Sequence, residues 1–169
     1  RNMEDTILMT QEVIQAAIRH IGLNPQEIVF GNYLLNFNLF ERFTVAQSLQ
    51  NFLNYTEEQV NNNEFLNSII IENNITNTMP SQTNEWLQYL IFEELVEPLL
   101  IQPTFITNLP VEASPLAYSE DGRSTVRFEL FCAGREIVNG FQQVLDYNDQ
   151  VERFNFQAQI NGRASAVEE

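Results

Sequence analysis

In the stretch RFELFCAGREIVNGFQQ, Arg127 to Gln143, two carboxylates stand seven residues apart, Glu129 and Glu136. Ala133-Gly134 between them offers a tight turn, so the stretch reads as a β-hairpin. With the turn there, Phe131 lies opposite Glu136 and Leu130 opposite Ile137. Residues of one parity share a sheet face, which puts Glu129, Phe131, Glu136 and Val138 on one side. The two Glu are then diagonal neighbours, roughly 7 Å apart at Cβ. Like charges at that range are costly unless something positive lies between them. Mg²⁺ takes one or two carboxylates and fills its other positions with phosphate oxygens and water, so such a pair on a rigid sheet could hold Mg·ATP. Spacing alone leaves a second reading open: a solvated sheet face on which Arg127 or Arg135 screens the acids.

The rest of the composition narrows the chemistry. The chain has 169 residues, 44% of them hydrophobic with 13 Phe, enough for one folded domain. Its net charge of −15 argues against direct nucleic-acid binding, which needs Lys and Arg at the phosphates. All eight basic residues are Arg and there is no Lys. With a single His, His20, and no Lys, Ser-His-Asp, Cys-His and Schiff-base chemistry lack their groups. His20 falls at the end of a helical pattern, where it suits the helix C-terminus. Cys132, the only cysteine, reads as a small buried hydrophobe and excludes an intrachain disulfide or a zinc cage. No apolar run is long enough to span a bilayer, so a soluble, intracellular protein of cytoplasm or organelle is expected.

Several elements must position the hairpin. Residues 3 to 20 carry Ile7, Val13, Ile14, Ala17 and Ile18 at helical spacing, with Gly22 as a stop. EIVFGNYLLNFN reads as two short strands around Gly31-Asn32. TVAQSLQNFLN, from Thr44, reads as a capped helix. An Asn-rich stretch with short helical patterns follows, with a loop around Pro80. EWLQYLIFEELVEPLL is amphipathic and is limited by Pro98. PTFITNLP is a strand, then come the hairpin and a helical pattern over DYNDQVERFNFQAQING, whose tail RASAVEE should fray. Together these make an α+β fold, an antiparallel sheet with flanking helices over one face.

LIQPTFITNLPVEASPLA (Leu100 to Ala117), followed by RFELFCAGREIVNGF and DQVERF (Asp149 to Phe154), closely resembles the catalytic domain of class II lysyl-tRNA synthetases in order and spacing. The opening helix resembles the one that follows that family's motif 2. The resemblance covers nearly the whole chain, weakly in the Asn-rich middle. It implies a single class II synthetase-like partial domain over residues 1–169, with a helical Asn-rich insertion at about 44–84. It also implies Mg²⁺ and ATP as cofactors, with Glu129 and Glu136 holding ATP-bound magnesium. Asn139 and Phe141 match the residues that help hold the amino acid. Strand parity would put Asn139 on the far face, so Gly140 is expected to mark a bend.

Two departures from the family pattern bear on function. Where the family has a Glu that pairs with the ammonium of lysine, this chain has Gln143, an amide that keeps an acceptor but loses the charge. That loss should cost on the order of a few kcal/mol in a buried site. The chain is also expected to start after motif 2 and to end before the Gly-rich, Arg-containing motif 3, the motifs whose arginines clamp the ATP phosphates. Taken alone it is expected to be non-catalytic, a structural or interaction subunit with a protein partner or larger assembly and no membrane span. The alternative is a segment of a functional ATP-dependent ligase for lysine or a related amino acid. A regulator that binds an amino acid without activating it fits the same pocket wall.

Overall fold

The computed structural model describes residues 2–77, 81–146, 148, 150, 151 and 153–155. Helix α1, Met3–His20, starts at a reciprocal cap. The Asn2 side chain accepts from the Asp5 N–H at 2.9 Å, and the Asp5 carboxylate accepts from the Asn2 N–H at 3.3 Å. Arg19 and His20 occupy its last turn, complementing the helix dipole. β1 (Ile28–Phe30) and β2 (Tyr33–Leu35) form the expected hairpin, with Gly31 at a φ of 58°.

A third strand, β3 (Glu41–Thr44), is not expected from the sequence. Its four residues show no alternation of apolar and polar side chains, and it becomes a strand through pairing with β4. Thr44 ends that strand and also caps α2 (Val45–Leu53), accepting from the Gln47 N–H at 3.1 Å. α3 (Glu57–Val60), α4 (Asn63–Glu72) and α5 (Asn84–Ile91) follow. α5 continues into a π-helical turn at Phe92–Val96 and a 3₁₀ turn at Glu97–Leu99 that contains Pro98. Then come β4 (Thr104–Thr107), β5 (Arg127–Cys132) and β6 (Arg135–Phe141). The helix expected from Asp146 lies largely outside the described residues, as do the tail RASAVEE and the centre of the loop expected around Pro80.

The main sheet runs β3-β4-β5-β6, parallel between β3 and β4 and antiparallel elsewhere. Helices cover both of its faces rather than one. Phe105, Phe128 and Leu130 pack with Ile7 of α1 on one side. Ile106 and Phe131 join α2, α4, α5 and the π turn on the other, where Phe92 meets Phe131 edge-on at 5.5 Å between centroids. The reason lies in β4, which is buried at every position, and in β5, which is buried at all but its first. A strand apolar on both sides needs cover on both. Among the described residues, no helix is long and apolar enough to cross a membrane.

Candidate active-site wall

The hairpin turn is where the sequence places it. Ala133 and Gly134 both have positive φ, 53° and 68°, the pattern of a two-residue turn that matches strand twist. Their N–H groups donate to the carbonyls of Ile101 and Leu100, docking the turn against the chain entering β4.

The register differs by one residue from the simple alternation. Phe131 faces Glu136 as expected, but Leu130 faces Val138, so Ile137 is an extra residue, a β-bulge. Past the bulge every side chain of β6 changes side. Val138 is therefore on the α1 face, packed near Phe128 and Leu130, and not with Glu129. Asn139 pairs directly with Glu129 and Phe141 with Arg127, so both share the Glu129 face. The bend expected at Gly140 is not what brings Asn139 round; the bulge three residues earlier does. Gly140 has another cause. A Cβ there would lie 2.5 Å from the Phe128 ring, which packs over the strand from the α1 side.

Arg127, Glu129, Glu136, Asn139 and Phe141 thus line one face. Gln143 lies beyond the end of β6 and is exposed; its backbone bridges to Ala117, and it is not among the residues lining the cleft beside the Ala113–Ala117 loop. The two acids are not equivalent. Glu129 sits on β5 between two strands and is 3% exposed, whereas Glu136 is exposed on the edge strand. The Arg127 guanidinium pairs with Glu129 through Nη2, which answers which arginine screens the acid. Its Nη1 donates to Ala113 O at 3.0 Å and to Ser114 Oγ at 2.7 Å.

Burial pushes the Glu129 carboxyl up to about 7. Arg127 opposes that rise, while Glu136, Glu97 and Glu93 add to it. Desolvation first, and then their acidic neighbours, also raise Glu93 and Glu97. These two come from the end of α5: the π turn carries Glu93, which accepts a hydrogen bond from Tyr89, and the 3₁₀ turn carries Glu97. This second bank of acids is not among the residues singled out from the sequence. Its signal there is FEELVEP, three Glu in five residues beside an apolar helix face.

Next to the acids, Arg127, Asn139 and Phe141 form a cleft of about 130 Å³ with the loop Ala113–Ala117. Apart from Arg127 its walls are uncharged. Among the described residues no three acidic, His or Cys groups converge into a ready-made metal cage. The donor set fits a different mode of binding. A buried carboxylate whose proton affinity is raised by burial and by the acids beside it suits a hard cation that arrives with phosphate and water ligands of its own.

Residues 1–167 match the family model for tRNA synthetases class II (D, K and N). The chain belongs to that family. A lysine–tRNA ligase of Buchnera aphidicola subsp. Schizaphis graminum is 40% identical over 164 residues, covering 94% of this chain and 32% of the relative. One of Aliarcobacter butzleri is 35% identical over 159 residues, 93% of this chain and 31% of the relative. One of Cupriavidus taiwanensis is 41% identical over 126 residues, 71% of this chain and 24% of the relative. The chain therefore spans about a third of the length of these first two relatives.

Proposed function

We propose that this segment forms one wall of the active site of a lysine–tRNA ligase-type enzyme. Glu129 and Glu136 face magnesium-bound ATP, and Asn139 and Phe141 face the amino acid. The observation that carries this reading is the bulge at Ile137, which brings the acid pair, the amide and the ring onto one face. A plain hairpin would have split them. Mg²⁺, when bound, would neutralise phosphate charge and orient the nucleotide. The chain's own part is to hold two carboxylates in fixed places, one clamped by Arg127 and one exposed on the edge strand. Asn139 offers an amide donor and acceptor to the amino acid's polar end, and Phe141 an apolar surface to its stem.

Taken alone, the segment is non-catalytic in this reading. Charge developing on the transferring phosphorus needs cations aimed at it. The cation beside the acids, Arg127, is already committed to Glu129 and to the loop at 113–114. Further cations come from the rest of the enzyme or from a protein partner, so the segment works within a larger assembly and does not itself contact nucleic acid. A second reading, a structural or interaction subunit that has lost the reaction, is favoured by Gln143 and by a cleft with no carboxylate in its wall. Amino-acid-dependent exchange of pyrophosphate into ATP by the purified segment tests the point. Background exchange is expected; exchange above background would overturn the non-catalytic assignment.

A further inference from the structure

The acid pair is useful only if Glu129 is held in place, and the structure gives that task to one side chain. Arg127 is only 15% exposed and makes contacts in two directions. Nη2 holds Glu129, and Nη1 holds the Ala113 carbonyl and the Ser114 hydroxyl. Its Nε is buried without a partner, so the guanidinium is placed by these contacts at the expense of a full hydrogen-bond set. The loop it grips is fixed from behind. Glu112, 9% exposed, accepts at 2.7 Å from both Ser81 Oγ and Thr83 Oγ1, and Thr83 is the N-cap of α5. A continuous set of contacts therefore runs from the start of α5 through the 113–114 loop and Arg127 to Glu129.

We propose that Arg127 is a positioning residue, which orients the Glu129 carboxylate toward a divalent cation by anchoring it to the Ala113–Ser114 loop. This deepens the acid-pair reading and rests on it. Guanidinium geometry is the reason the residue is Arg. A planar fork reaches Glu129 and the loop at once, whereas an ammonium is a point charge that cannot keep both directions.

The test follows Mn²⁺ by its broadening of residue-resolved amide signals in the 169-residue chain. Mn²⁺ is added below stoichiometry, so that the strongest site fills first. In the unmodified chain, broadening should centre on residues 129 and 136–139. Arg127→Gln should abolish that focus, and Arg127→Lys should raise the Mn²⁺ needed for half-broadening by about 3- to 10-fold. Ser114→Ala, which removes a single contact and leaves the core intact, should raise it by about 2- to 3-fold. Signals from α1 and α2 serve as the folding control and should not change. Equal Mn²⁺ response in the unmodified chain, Arg127→Lys and Ser114→Ala would overturn the positioning role alone. Absence of focused broadening in the unmodified chain would overturn the acid-pair reading and this proposal with it.

Discussion

Glu129→Gln should flatten the dependence of folding stability on pH. In the folded chain this carboxyl titrates at about 7, against an ordinary value of 4.5, because burial outweighs its pairing with Arg127. The folded state thus holds the proton more tightly than the unfolded state does. The stabilisation is fully present below the unfolded value and is lost as pH rises through the folded one. A tenfold difference in proton affinity between the two states corresponds to about 1.4 kcal/mol, so the unmodified chain should lose on the order of 2 kcal/mol between about pH 5 and about pH 8. With a urea slope of about 2 kcal/mol/M, the unfolding midpoint should fall by about 1 M across that range. The amide resembles the protonated acid at every pH, so the variant should lack this part of the slope and keep the smaller part due to Glu93 and Glu97. Urea titrations followed by circular dichroism at several pH values measure both chains. A variant with the same slope as the unmodified chain would refute the reasoning, as would stability that rises between these pH values.

Other consequences can be checked independently. Gly140→Ala should destabilise the chain by about 1–3 kcal/mol, because its Cβ would meet the Phe128 ring at 2.5 Å; an unchanged melting temperature would contradict that packing. Phe92→Ala should cost about 3–5 kcal/mol, since this ring, at the start of the π turn, is fully buried against Phe131, and chemical unfolding would measure the loss. Calorimetry of the unmodified chain should show no lysine binding, because burial of an ammonium needs a paired charge and Gln143 supplies none. Gln143→Glu should introduce a lysine response only where the rest of the amino-acid pocket is in place, and tight lysine binding without that change would contradict the argument.

Much of this fold is legible in the sequence because local rules and tertiary packing agree. α1 begins at an Asn cap and ends in basic residues, and each of the two hairpins, at Gly31-Asn32 and Ala133-Gly134, turns with a Gly at positive φ. β3 is not legible. Glu41–Thr44 has no strand pattern of its own and is held by a partner some sixty residues away in sequence. The site is legible in its residue types but not in its register. Alternation places Glu129 and Glu136 on one face, yet a single inserted residue, Ile137, decides where Asn139 and Phe141 point. The bulge has no reliable local signature here, since Gly140, the residue that suggests a bend, answers to Phe128 instead. The Arg127 link to Ser114 is equally hidden, because it joins positions 13 apart that only the folded loop brings together.

The most direct test of the active-site wall is a residue-resolved amide titration of the chain with Mg·ATP. Chemical-shift changes should concentrate on Glu129, Glu136 and Asn139 and weaken sharply in Glu136→Gln. Changes confined to α3 and α4, or none along β5 and β6 at saturating Mg·ATP, would contradict it.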